Sequence, residues 1–377
     1  MTQYSELKIG IDVRLPYYQM GGISQYVVHL MPALAELDQN NHYVAVHSRK
    51  DGRSYTPAAS NFRRADAWTP CHHRLERWTL TAELAPHRFD VFHSPDFIPP
   101  QWAGRRTVIT IHDLNFVYFP QFLTAESKRY YRDQIQWAVD RADAISADSH
   151  ATRQDVIDHL HVDPAKIKTV HLAANPLYQR DYTEAEIAAT LRQHNLPRGF
   201  ILFVGTLEPR KNVPTLIRAY HKLHREKAVD VPLVLVGGKG WIYDDIFATI
   251  DDLDLRDHVR HLSGIFDEQL AHFYHAAGVL VTPSFYEGFG LPALEAQHCG
   301  CPAVVSRRGS LPEIVGPDGL MVDDPEDVDA WADILHRIIS DSDLRRNTIK
   351  EGNRQARTFT WEKVAAATLA LYTGEGE

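Results

Sequence analysis

The chain has 377 residues, 44% of them hydrophobic and 24% charged, with a formal net charge of −9. That length exceeds the needs of one α/β domain and suits two, and the composition supports packed cores rather than disorder. The acidic balance argues against a nucleic-acid partner, and no run reaches the roughly 18 apolar residues of a membrane-crossing helix.

The N-terminus enters a strand almost at once, without a basic stretch followed by an apolar one, so a cytoplasmic protein without a signal peptide is expected. Short β-branched runs then alternate with amphipathic stretches, the rhythm of βα units around a parallel sheet. In the first half the predicted strands are Lys8–Val13, His42–His47, Asp90–His93, Thr107–Ile111, Ala144–Ala147 and Ile167–Val170. Predicted helices are Ile23–Leu37, Ser127–Ala142 and Ala151–Leu160, the last behind an Asp148-Ser149 cap. Residues 1–175 form the predicted N-terminal domain, and the polar, Pro-bounded residues 176–197 a linker with a short helix.

The rhythm restarts with strands Phe200–Val204, Leu233–Val236, Val259–Leu262, Val279–Thr282 and Ala303–Ser306. Helices are predicted over Val213–Lys227, Asp267–Ala277, Leu291–His298 and Val328–Asp341, giving a second domain over residues 198–357. The tail, residues 358–377, carries an apolar stripe that must bury somewhere. Cys71, Cys299 and Cys301 have neither disulfide nor zinc spacing and are expected as small packing residues in a reducing compartment.

Two segments carry chemistry. Gly205-Thr-Leu-Glu-Pro-Arg210-Lys211-Asn212 follows a strand and opens a helix. Adjacent cations at a helix N-terminus suit a diphosphate; a solvated basic turn is the other reading. Ser284-Phe-Tyr-Glu287-Gly-Phe289-Gly290-Leu291-Pro-Ala-Leu-Glu295 follows the strand Val279–Thr282. A carboxylate can clamp the vicinal hydroxyls of a ribose, and Gly288 and Gly290 free backbone N–H groups for a ligand. Two surface charges are the bland alternative.

Together these segments resemble the donor-site signatures of glycosyltransferase family 4, retaining enzymes of the GT-B fold. The resemblance extends to Gly21-Gly22-Ile23, Thr110-Ile111-His112-Asp113, Ser263-Gly264-Ile265 and Phe359-Thr-Trp361. It implies an α/β fold of two Rossmann-like doubly wound domains facing across a cleft, with the last helix crossing back to the first. Arg210 and Lys211 would then bind the diphosphate and Glu295 the ribose. Glu287 and the amides of Phe289, Gly290 and Leu291 would face the transferred sugar and phosphate. His112, followed by Asp113, would lie near the reactive carbon, Gly22 near phosphate and acceptor, Ile265 at the base, and Gly205 in the diphosphate loop. The catalytic set is His112, Arg210, Lys211 and Glu287.

No metal or other cofactor is expected, because the Arg-Lys pair takes the place of a cation. Asp251-Asp-Leu-Asp254 imitates a metal motif but reads as a solvated acidic turn. His72, His73 and His93 read as surface or supporting residues. Arg63–Trp78, basic with an indole, reads either as an exposed helix or as a contact with the inner face of a membrane.

The pairing of the Gly205–Asn212 run with Ile9-Gly-Ile-Asp-Val-Arg14 resembles bacterial O-antigen and polysaccharide mannosyltransferases. That implies a GDP-mannose or related donor and a glycan or lipid-linked glycan acceptor. UDP-sugars, an epimerase or phosphorylase, and a non-catalytic sugar-nucleotide-binding subunit stay open at this point. A glycosidase is disfavoured, because a basic dipeptide among Gly loops fits phosphate better than a neutral glycan.

Overall fold

The structure, a computed structural model, describes residues 6–18, 21–122, 125–227 and 229–374. The chain divides into two compact units, Met1–Ala173 with Thr360–Glu377, and Ala174–Phe359. The first unit runs β1 (Lys8–Asp12), α1 (Leu15–Tyr18), α2 (Gly22–Leu37), β2 (His42–Ser48), β3 (Phe62–Ala67), α3 (Glu76–Leu84), β4 (Phe89–Ser94), β5 (Gly104–Ile111), α4 (Asn115–Tyr118), α5 (Ala125–Arg141), β6 (Ala144–Ala147), α6 (His150–Leu160) and β7 (Ile167–Thr169). Its strands pair in parallel in the order β3-β2-β1-β4-β5-β6-β7. Central strands are apolar because a parallel sheet is covered on both faces; Ile9, Ile11, Ile109 and Ile145 are fully buried.

The second unit runs α7 (Glu184–Gln193), β8 (Ile201–Val204), α8 (Val213–Lys227), β9 (Leu233–Val236), α9 (Asp244–Asp252), β10 (Val259–Leu262), α10 (Asp267–Ala276), β11 (Val279–Thr282), α11 (Leu291–His298), β12 (Ala303–Ser306), α12 (Leu311–Val315), β13 (Leu320–Val322), α13 (Val328–Ser340) and α14 (Ser342–Ala356). Its sheet is also parallel, in the order β10-β9-β8-β11-β12-β13. Each sheet reverses its winding once, between β1 and β4 and between β8 and β11. Loops leaving the carboxyl ends of such strand pairs diverge, which is where open α/β sheets take ligands.

Several expectations change. Residues 176–197 are not a free linker but part of the second unit. Thr183 and Glu186 close a capping box, and α7 then buries Ile187 and Leu191. The segment Arg63–Trp78 is not one helix. Arg63 and Arg64 lie on the edge strand β3, where Arg64 binds Asp66 at 2.8 Å, and the helix begins only at Glu76. Asp251 and Asp252 end α9, and Asp251 is paired with Arg256 at 2.5 Å. Cys299 and Cys301 are buried and Cys71 is half-buried, all as free thiols.

The last helix, α15 (Trp361–Thr373), belongs to the first unit and packs on α2. Thr360 caps its start by accepting from the Lys363 N–H. Near its end the Tyr372 hydroxyl is hydrogen-bonded to His93 Nδ1 at 2.7 Å, and His93 Nε2 is hydrogen-bonded to Thr110 Oγ1 at 2.8 Å. His93, read from sequence as a surface or supporting residue, is thus fully buried. Burial, and then the neighbouring His112, hold it neutral with a pKa of about 3.

Candidate functional site

In the second unit β8 and β11 are neighbours, so the loops at their carboxyl ends run side by side although 77 residues separate Arg210 from Glu287. The Phe285 N–H donates to the Arg210 carbonyl at 2.9 Å. Asn212, in a left-handed turn at φ 52, donates through its side-chain amide to the carbonyls of Pro283 at 3.1 Å and Pro325 at 2.7 Å. These bonds weld the two motifs into one platform.

Glu287 is its centre. Oε1 accepts from Lys211 Nζ at 2.7 Å and from Ser284 Oγ at 2.6 Å, and Oε2 accepts from Arg210 at 3.0 Å. Arg210 also donates to Glu208 and to the Tyr286 carbonyl, each at 2.7 Å. Burial alone would raise the Glu287 carboxyl. Lys211 and then Arg210, with the hydrogen bonds from Lys211 and Ser284, reverse this and hold it at about 2.

Two cations therefore meet two carboxylates, and the cluster is neutral rather than a bare positive patch. The cations differ in what they have left. The Arg210 fork is committed to three acceptors, whereas the Lys211 ammonium makes one hydrogen bond among the described residues and keeps two N–H donors. A glycine fixes the backbone beneath: Gly309 sits at φ +54, and a Cβ there would lie 2.3 Å from the Glu287 carbonyl oxygen.

α11 starts at Gly290, at φ +96, with no side chain to cap the first turn. Backbone amides around Leu291 thus stand at the positive end of the helix. Phe289 is buried with its ring 5.8 Å from that of Phe359. Gly205 follows β8 beside the Lys211 side chain, and Ile265 lies half-buried after β10, next to the 76% exposed Phe266.

Glu295 does not join Glu287 at the cations. Glu295 accepts instead from the Tyr274 hydroxyl at 2.9 Å, because α11 turns it toward α10. Burial raises its pKa to about 7; the Tyr274 hydrogen bond pulls the other way and Asp267 adds to the rise.

In the first unit His112 follows β5. Its Nδ1 lies 2.5 Å from Asp148 Oδ2 at the end of β6, and its Nε2 lies 2.8 Å from the Pro95 carbonyl after β4. Both neighbours are acceptors, so both nitrogens are donors and the ring is an imidazolium. Burial opposes that charge, but the Asp148 carboxylate outweighs it and the pKa rises to about 9. Neither nitrogen is left to take up a proton. His112 can act through charge and shape, not as a base.

Asp113 accepts from the Asn115 N–H at 3.0 Å and shapes the turn into α4. Gly22 opens α2, and a Cβ there would meet nothing within 4 Å, so packing does not account for the glycine. At the carboxyl ends of β1 and β4 lies a recess with ≈ 350 Å³ of empty space, counting solvent at its mouth, lined in part by Arg14, His72, Glu76 and Asp96. Arg14 is buried and bound to Asp12 and Glu76, and His72 lies 2.6 Å from Asp96.

Sequence comparison matches both units. The profile described as Glycosyltransferase Family 4 covers residues 20–176, and the one described as Glycosyl transferases group 1 covers residues 189–355. O-antigen chain mannosyltransferase B of Escherichia coli is 34% identical over 308 residues, 81% of this chain and 79% of that protein. The chain belongs to glycosyltransferase family 4. Another member, D-inositol 3-phosphate glycosyltransferase of Corynebacterium glutamicum, is 30% identical over 66% of this chain and 60% of its own length. Among solved structures, sucrose-phosphate synthase from Thermosynechococcus elongatus superposes with a TM-score of 0.77 over 98% of this chain and 99% of that one, at 24% identity, and shows the GT-B fold.

Within this family 4 chain, the fold brings together Arg210, Lys211 and Glu287, all named from the sequence, and holds them with residues to which sequence reasoning assigned no role: Ser284, Asn212 and Gly309. Sequence reasoning also missed Asp148 and Pro95 around His112, and Tyr274 beside Glu295. The Ser284-to-Glu287 spacing was the one local signal available.

The depressed Glu287 carboxyl contributes stability that is present above its unfolded value near 4.5 and is lost as pH falls toward 2. The shift corresponds to roughly 3 kcal/mol. Glu287→Gln should lose about that much in urea unfolding at pH 7, and its deficit against the parent chain should shrink as both are taken below pH 4. A deficit that stays constant with pH would contradict the ion-pair account.

Proposed function

We propose that the chain transfers a hexose, with retention, from a nucleoside-diphosphate sugar to a glycan or lipid-linked glycan, and that the donor is GDP-mannose or a related GDP-sugar. The observation that carries this reading is the platform at β8 and β11, where Lys211, bonded to Glu287, keeps unspent donors and the Glu287 loop leads into the uncapped start of α11. A leaving diphosphate gains charge as the glycosidic bond breaks, and preorganised N–H donors stabilise that charge. Arg210 holds Glu287 and Glu208 in place beside it. His112 brings a fixed positive charge without proton transfer, which suits retention by positioning rather than by a carboxylate nucleophile. The GDP-mannose choice rests on likeness to the O-antigen mannosyltransferase; the carboxylates and imidazole lining the first unit's recess suit the hydroxyls of a sugar acceptor.

No metal is needed in this scheme, since Lys211 and the helix start meet the diphosphate. Incubation with a panel of GDP- and UDP-sugars should show slow hydrolysis of one GDP-sugar, unchanged in EDTA. Lys211→Ala should lower that rate about 100-fold, near 3 kcal/mol of barrier. A UDP-sugar as sole substrate moves the donor assignment; loss of activity in EDTA that magnesium restores removes the metal-free scheme; near-parent turnover of Lys211→Ala removes Lys211 from the site.

A lipid-linked acceptor would bring the chain to a membrane surface, although no helix among the described residues is long and apolar enough to cross one. Around α3, Trp68, Trp78 and Trp102 are each more than half exposed, with Arg49 3.7 Å over Trp68 and Arg141 5.7 Å over Trp102. Indoles beside guanidinium groups suit an anionic interface. The protein should float with liposomes containing anionic lipid and not with neutral ones, and the Trp68→Ala, Trp78→Ala double variant should stay behind; equal behaviour in both lipids would exclude the contact.

A further inference from the structure

Tyr274 is fully buried on α10, and a buried phenol keeps its hydroxyl only where a partner meets it. Its partner is Glu295, whose Oε2 accepts at 2.9 Å. Glu295 makes no other hydrogen bond among the described residues, and Oε1 is left over. On α11 Glu295 stands four residues after Leu291, so both lie on one face. Helical side chains lean toward the N-terminus, which directs this carboxyl back to the uncapped start of the helix.

Behind Tyr274 the ring of Tyr178, buried in the turn Pro176–Gln179, packs edge-on at 5.7 Å and fixes the phenol. Burial and the facing carboxylate push the Tyr274 phenol well up, so it stays a donor across the working pH range.

We propose that Tyr274 is a positioning residue: its hydroxyl takes up one oxygen of Glu295 and so presents the other to the vicinal hydroxyls of the donor's ribose. The inference rests on reading the second unit as the sugar-nucleotide site. The titratable groups facing Glu295 are Tyr274 and Asp267 from α10, Tyr178 from the turn before α7, and Cys299 just past the end of its own helix. None is a cation. The ionised carboxyl, with a pKa of about 7, therefore has one good donor, and two ribose hydroxyls would supply what is missing.

The sign follows from that arrangement. Ribose binding favours the ionised form, so nucleotide affinity falls as pH drops through about 7. The Tyr274 hydrogen bond favours the same form, so removing it moves the midpoint upward. A residue that only filled space would leave the midpoint where it is.

GDP and UDP binding, measured by calorimetry from pH 6 to 9, tests this on the whole chain. Tyr274→Phe, which keeps the ring, should weaken the bound nucleotide about tenfold at pH 7 and regain most of the loss by pH 9. Turnover at saturating donor should stay within twofold of the parent, and the deficit should vanish with the 2′,3′-dideoxy nucleotide. A deficit equal at every pH, or equal with the dideoxy nucleotide, overturns the positioning role, as does parent-like binding. Glu295→Gln gives a second reading if Tyr274→Phe folds poorly: its affinity should lose the pH dependence near 7, and retained dependence overturns the proposal. If Glu295→Ala binds as the parent does, or neither nucleotide binds the parent chain, the sugar-nucleotide reading of the site fails and takes this one with it.

Discussion

The contact that holds together the platform at β8 and β11 is the carboxylate of Glu287 between Lys211 and Arg210. A carboxylate taken from water without partners would neutralise itself by taking a proton. Here two cations and a serine hydroxyl keep it ionised, and in return it fixes where an ammonium and a guanidinium stand. Removing one member of such a buried group strands the others at a cost of about 3–5 kcal/mol. The neutrality of the cluster also bears on the proposed function: a diphosphate arriving there would meet fixed donors rather than loose charge, so little reorganisation would accompany the reaction.

The first unit solves a related problem with two histidines. His93 lies near the end of β4 and His112 follows the neighbouring β5, yet one is neutral and the other charged. His93 sits between two hydroxyls and has no carboxylate to offset burial. His112 has Asp148 at 2.5 Å and a backbone carbonyl on its other side. The proximity of the two rings reinforces the split, since the charge on His112 further disfavours one on His93. The hydrogen bond between Tyr372 and His93 then joins α15 to the strand layer beneath His112, so the last helix supports the same region of the sheet.

Much of this was legible in the sequence, and the reasons are local. Val213–Lys227 read correctly because of its amphipathic period, and Leu291–His298 because Gly290 and Pro292 mark its start. β3 did not, since Phe-Arg-Arg-Ala-Asp-Ala on a sheet edge offers no apolar alternation. α14 buries little beyond Gly352 and Ala356, so its pattern is nearly uniformly polar. The contact between Lys211 and Glu287 was out of reach for a different reason. It depends on β8 lying next to β11, and strand order leaves no trace in periodicity. The same holds for Asp148 beside His112, which follows from β6 pairing with β5. His93 stayed open between a surface and a supporting residue, because a histidine on a strand end gives no sign of whether hydroxyls await it.

Two glutamates eight positions apart show what the sequence could not weigh. Glu287 and Glu295 are the same side chain, and from sequence they form a natural pair. In the fold each is withdrawn from water, and burial pushes both carboxyls upward. Everything else differs. Glu287 lies in the loop after β11, within reach of the cations after β8, and falls to about 2. Glu295 lies one turn into α11, faces Tyr274 and Asp267 on α10, and rises to about 7. Environments that drive two like groups apart assign them different work. A carboxylate permanently ionised and fully bonded is a scaffold for other groups, whereas one poised near neutrality with a spare oxygen gains most from an incoming donor. The distance between the two along the chain is set by the loop and first turn of α11; the division of labour is set by which helix each one happens to face.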